Sequence, residues 1–174
     1  MTYLTEYNSE WPEWFHRIAG YLAPRVARHA RIEHVGRTSV AGMVAKPVID
    51  IAIVVEDGVM PEAISSIETA GYAYHGDLGL RGREAFVQIT SVTRELPSHH
   101  LYAFEASAFE LRKQVSFRDY LIAHPDEALR LAAFKRYLAF ELKVSRSDYI
   151  TGKAALVEEM ASAALAWYSR RTAG

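Results

Sequence analysis

The stretch "EHVGRTSVAGMVAKPVIDIAIVV", residues 33–55, decides how this chain folds. Two short runs rich in β-branched residues, "RIEHV" at 31–35 and "PVIDIAIVV" at 47–55, predict two strands. Between them Gly36 permits a tight backbone, and Thr38 and Ser39 supply hydroxyls and N–H groups. Such a turn can open a helix N-terminus, where exposed N–H groups and the dipole favour an anion. Arg37 and Lys46 add positive charge on either side, so the 36–46 loop reads as a cradle for a phosphate or a carboxylate. Asp50 sits inside the second apolar run, where a lone carboxylate is costly unless it is paired, hydrogen-bonded or bound to a cation. Its partner is either a structural ion pair, with Lys46 or an arginine of a neighbouring strand, or a ligand.

Outward from this stretch the pattern is mixed. Trp11, Phe15, Ile18, Leu22 and Val26 recur at helical spacing and predict a first helix from Trp11 to about His29, with Pro12 in its first turn. Residues 60–70 predict a second helix, ended by Gly71. "YAYHG" at 72–76, "EAFVQIT" at 84–90 and "HHLYAFE" at 99–105 predict further strands. Beyond Phe109 the apolar residues keep helical intervals, predicting helices over about 107–123, 126–145 and 147–170. Asp126 is placed to cap the second of these and Ser147 the third. The expected fold class is α+β: an α/β core over 1–106, with a mixed sheet and helices on one face, and a helical part over 107–174 that closes over the other. No linker composition separates the two, which predicts one compact unit.

Composition narrows the chemistry. The 174 residues are 50% hydrophobic, enough for a sizeable core. A net charge of −1 gives no long-range field toward bulk nucleic acid or an anionic membrane, so any anion site must be local. With no cysteine there are neither disulfides nor thiolate metal sites, and a metal would sit on carboxylates, imidazoles or water, which favours magnesium. Neither a signal peptide nor a membrane span is legible, and a cytoplasmic location is expected.

Six blocks carry a resemblance: "YNSEWPEWF" at 7–15, "EHVGRTSVAG" at 33–42, "AKPVIDI" at 45–51, "FRDYL" with "HP" at 117–125, "FKRYL" at 134–138 and "DYITGK" at 148–153. In this order over nearly the whole chain, they resemble the GrpB family of small bacterial proteins, placed in the nucleotidyltransferase superfamily. The resemblance implies a nucleotidyltransferase-like sheet and a nucleotide or other phosphorylated ligand in a cleft floored by Asp50, with one magnesium as the implied cation. Two departures matter. Arg37 stands where the family usually has a serine that, in related enzymes, helps hold the phosphates, and Ala41 stands where it has a proline. Active nucleotidyltransferases also carry two acids on alternate residues of the strand, and here the second position is Ala52.

The remaining candidates are polar residues near this cleft. On the 99–105 strand His100 and Tyr102 share one face; the family pattern is His-x-His, so His100 matches and Tyr102 departs. His100 is a candidate for acid–base work beside Asp50, against the bland reading of a hydrogen-bonded structural imidazole. Glu33, on the strand before the turn, is placed to supply part of the missing acid to a metal held by Asp50. Arg83, in "GLRGRE", and Arg118, in "SFRDYL", are expected to grip a phosphate or position an acceptor, against a solvated hairpin turn and a helix-to-sheet ion pair. Lys135, Tyr149 and Lys153 fall in the matching blocks, with Lys153 expected as a charge at the cleft rim.

The two functional readings are therefore an enzyme-like protein and a non-catalytic module. In the first, Asp50 and His100 do the chemistry while Gly36, Arg37, Thr38, Ser39, Lys46, Arg83 and Arg118 hold substrate. In the second the cleft persists without transfer, as implied by family members fused to a coenzyme A biosynthetic kinase.

Overall fold

The computed structural model describes residues 4–26, 30–142 and 145–172. Helix α1, Trp11–Leu22, starts with Pro12 in its first turn and buries Trp11, Ile18 and Leu22. It is shorter than the spacing predicts. Pro24 follows two residues beyond Leu22 and has no N–H with which to extend the helical ladder. Residues 27–29, at the end of the predicted span, lie outside the described residues.

Strands β1 (Arg31–Val35) and β2 (Ile49–Val55) form as predicted, β2 beginning after Pro47, which cannot donate to a ladder. Helix α2 covers Met60–Thr69, and β3 (Tyr72–Tyr74), β4 (Glu84–Gln88) and β5 (His99–Glu105) complete a sheet of order β1-β2-β5-β4-β3. Only β2 and β5 run parallel; the other neighbours are antiparallel. A short helix α3, Ser91–Glu95, lies in a segment that the spacing leaves as a loop. It is set by Thr90 and Thr93, whose side chains reciprocally cap its first turn.

After β5 come α4 (Phe109–Ala123), α5 (Pro125–Arg136), one π-helical turn (Tyr137–Glu141) and α6 (Arg146–Thr172). The two expected caps move. Pro125 takes the first position of α5 and His124 precedes it without a capping bond, so Asp126 lies in the first turn, where its charge still suits the dipole. At α6 the cap is Ser145 rather than Ser147: its Oγ accepts from the Asp148 N–H at 3.2 Å and donates to the Asp148 carboxylate at 2.7 Å.

The sheet divides two cores. Ile49, Ile51, Ile53 and Val55 alternate onto one face, packing with Trp11, Ile18 and Leu22 of α1 and with Ala63 and Ile67 of α2. Asp50, Ala52 and Val54 point the other way, where Ala52 and Val54 join Val35, Phe104 and Leu111 of α4. Helix α4 thus packs on the second face. Asp50 lies on that covered face at the end of β2 where the apolar cluster stops. Among the described residues no helix is long and apolar enough to cross a membrane.

The cap assignment can be checked by urea denaturation. Ser145→Ala is expected to lower stability by about 1 kcal/mol, and Ser147→Ala by clearly less.

Candidate functional site

The cleft is built on a contact between a glycine and a carboxylate. Gly36 adopts φ 73° and ψ −168°, a region open almost only to glycine, and a Cβ placed there would lie 2.2 Å from Asp50 Oδ2. The backbone after β1 therefore lies directly against the Asp50 side chain. The next three residues, Arg37–Ser39, form one 3-10 turn rather than opening a longer helix. Its hydroxyls serve the loop: Ser39 Oγ donates to the Gly36 carbonyl at 2.5 Å, and Thr38, buried, pairs with His34 Nε2 at 3.0 Å. Burial pushes the His34 imidazole down to about 4, so it is neutral, and Phe15 stacks on it with centroids 4.9 Å apart.

Asp50 finds its partner across the parallel pairing. Asp50 and His100 are register partners on β2 and β5, and His100 Nδ1 lies 2.9 Å from Asp50 Oδ1. An ionised carboxylate only accepts, so Nδ1–H donates, and in the neutral ring it is Nε2 that carries the lone pair. Among the described residues, neither Lys46 nor any arginine forms an ion pair with Asp50.

Glu33 and Arg118 are tied to each other. Arg118 Nη1 donates to Glu33 at 2.8 Å and to the His34 carbonyl at 3.0 Å, while Nε donates to Asp119 at 2.7 Å. Arg31 takes the other Glu33 oxygen at 2.9 Å. The expected helix-to-sheet network is present, and both Glu33 oxygens are engaged by arginines. Glu33 is the register partner of Ala52, which is fully buried under α4, so an apolar cluster occupies the second acid's position. Among the described residues no group of three or more His, Asp or Glu side chains is placed to hold a metal.

Two cavities open on this floor, and Arg37 and Asp50 line both. The first, about 340 Å³, gathers Thr38, Lys46 and His100 with Lys135, Tyr149 and Lys153. The second, about 290 Å³, gathers Gly36, Arg83, Tyr102, Phe117 and Arg118. Arg83 stacks over the Tyr102 ring at 4.7 Å, and the Nε atoms of Arg37 and Arg83 are both buried without a hydrogen-bond partner. Of the residues expected to hold substrate, Ser39 lines neither cavity.

The electrostatics of the first cavity are one-sided. Lys135 is 1% exposed, and burial, then Arg37, Lys153 and Arg136, bring its ammonium down to about 6. Burial and Arg37 bring Lys153 down to about 8. Lys153 stands in the cavity wall, where the sequence places it at the rim. Lys135 has no role assigned by the sequence. The legible sign was a lysine on the same helical stripe as Ala128, Leu131 and Ala132, all buried.

A family model described as GrpB protein matches residues 2–163. The chain belongs to the GrpB family. Among GrpB-like relatives, the UPF0157 protein YqkA of Bacillus subtilis is 31% identical over 95% of this chain and 48% of its own length. The glutamate-rich protein GrpB of Alkalihalophilus pseudofirmus is 26% identical, over 90% of this chain and 92% of that one. The chain thus spans about half of YqkA and nearly all of the Alkalihalophilus relative. The crystal structure of the conserved protein GrpB from Enterococcus faecalis superposes with a TM-score of 0.76 at 29% identity, covering 95% of this chain and 98% of that chain. The fold described here is therefore a GrpB fold.

Two outcomes test this geometry. Gly36→Ala must move the Asp50 carboxylate and hold a disfavoured φ, and is expected to destabilise by about 2–3 kcal/mol. In an Asp50→Gly background the steric part disappears, so a double-mutant cycle by denaturation should show the two losses falling short of their sum. Lys135 keeps its proton up to 10.5 when free but only to about 6 when folded. The unfolded chain binds more protons across that window, so ligand-free stability should rise with pH through it. Lys135→Met is expected to flatten that rise.

Proposed function

We propose that the cleft binds a small phosphorylated ligand, nucleotides included, with phosphate held by Arg37, Lys46 and Lys153. Asp50 and His100 then face its reactive end. The supporting observation is the convergence of Arg37, Lys46 and Lys153 on one cavity whose lining carries a single carboxylate, Asp50, already paired with His100. Like charges that depress one another's proton affinity mark a site whose electrostatics improve when an anion enters.

Arg37 takes the part of the missing serine in this reading. A guanidinium presents five donors in a planar fork suited to phosphate, and with a buried Nε unsatisfied it has bonding capacity to give. His100 Nε2, oriented through Nδ1 by Asp50, is the group to take a proton from an acceptor hydroxyl, and Arg83 in the adjoining cavity is the group to position that acceptor. The donor set does not fit a two-magnesium centre. Ala52 is buried in an apolar cluster, Glu33 is engaged by Arg31 and Arg118, and basic side chains dominate the cavity. The buried Ala52 favours a second reading, a module that holds its ligand without transferring a group.

Calorimetric titration with nucleoside triphosphates and with pyrophosphate, each with and without magnesium, tests the proposal. Wild type is expected to bind, and Lys153→Ala to weaken binding by about 10-fold to 100-fold, the worth of one charge-assisted hydrogen bond. Asp50→Ala should bind at least as well, since it removes a negative charge from the site. Because Lys153 loses its proton near 8, affinity should fall as pH rises through that value. Absence of binding at any of these ligands sinks the proposal. Group transfer by wild type, abolished in His100→Ala while binding persists, selects the enzyme over the holding module.

A further inference from the structure

The cavity proposed to hold phosphate also contains an amine suited to covalent chemistry. Lys135 extends the buried stripe Ala128, Leu131 and Ala132 of α5, so its stem is fixed by packing and 1% of the residue is exposed. Its Nζ donates to the Val44 carbonyl. No carboxylate pairs with it among the described residues; the charged groups around it are Arg37 from the turn, Lys153 from α6, Arg136 from its own helix, and Lys46, Asp50 and His100 as cavity lining. A lysine in that setting is a poor phosphate ligand, because near neutral pH most of it carries no charge. What it has instead is a lone pair. Desolvation beside another cation is a general way to activate a lysine toward carbonyl carbon. One N–H is spent on Val44, and the neutral amine of this cavity-lining lysine keeps its lone pair.

We propose that Lys135 is a nucleophile that forms an imine with a phosphorylated aldehyde or ketone whose phosphate sits on Arg37, Lys46 and Lys153. The inference rests on the phosphate reading above. The Nζ lone pair forms the C–N bond as the carbonyl π electrons move to oxygen, which takes a proton. The nitrogen then gives a proton to the deprotonated Lys153, which passes it to the hydroxyl; the C=N bond forms as the oxygen leaves as water, and the last N–H proton of the resulting iminium restores the Lys153 ammonium. One water is released and nothing is oxidised or reduced. Lys153, which keeps its proton up to about 8, is a cavity acid able to supply the oxygen's proton.

The test uses pyridoxal phosphate as a phosphorylated aldehyde, borohydride reduction and peptide mass spectrometry on the full chain. The expected result is saturable labelling of Lys135, with the absorbance of an imine before reduction, suppressed by excess pyrophosphate. Pyridoxal without its phosphate should label at least about 10-fold less at the same concentration, since it lacks the charge-assisted bonds. Lys135→Arg and Lys135→Met, checked for folding by circular dichroism, should lose the label and still bind pyrophosphate. Label confined to Lys153 or to surface lysines, with Lys135 unmodified and pyrophosphate still bound, overturns the imine alone. Failure of wild type to bind pyrophosphate overturns the phosphate site and the imine together.

Discussion

Everything in the cleft depends on how closely the backbone at Gly36 approaches the Asp50 carboxylate. With a Cβ absent, the turn closes onto β2, and the Arg37–Ser39 turn is aimed across the floor instead of out into solvent. That approach places Arg37 between two cavities, and on the β5 side Asp50 meets His100. Thr38 and Ser39, the hydroxyls that look most like ligands in the sequence, are used to hold the turn in that shape. A polar loop thus spends part of its polarity on its own geometry.

The two faces of β2 show how one strand serves both stability and chemistry. The isoleucines that pack with α1 and α2 anchor the strand from below. On the upper face, Ala52 and Val54 pack in an apolar cluster with Leu111 of α4 while Asp50, two residues earlier, opens into a cavity that Phe117 and Arg118 of α4 help to line. The difference between a core residue and a cleft residue here is one pleat. It also explains the fate of the second acid: a carboxylate at position 52 would sit in an apolar cluster, and Glu33 alongside is held by Arg31 of its own strand and by Arg118, which ties β1 to α4.

Much of this was legible. The β-branched runs placed β1 and β2, the stretches at 72–76, 84–90 and 99–105 placed β3, β4 and β5, the helical spacing placed five of the helices, and Gly36, Arg37 and Asp50 marked the floor. The parts that were not legible are tertiary. Whether Asp50 meets His100, Lys46 or an arginine depends on a strand pairing fifty residues away, and a single sequence records no register. The threonine cap of α3 is too common a pattern to separate from a turn. Lys135 reads as one more charged helix residue until its stripe is seen to be buried; the mismatch between its charge and its neighbours was the signal. Arg118 shows the reverse case, a family-matching arginine that lines a cavity while its guanidinium is engaged by Glu33, Asp119 and the His34 carbonyl.

The first cavity has walls from distant parts of the chain. Arg37, Lys46 and Asp50 come from the first fifty residues, and Lys135, Tyr149 and Lys153 from the last forty. Neither half is a site without the other. On the phosphate reading proposed for this cleft, an anion seated between them bridges sheet and C-terminal helices, so its binding energy is also docking energy for α5 and α6. On that reading, occupancy of the cleft and docking of the C-terminal helices are linked, each favouring the other.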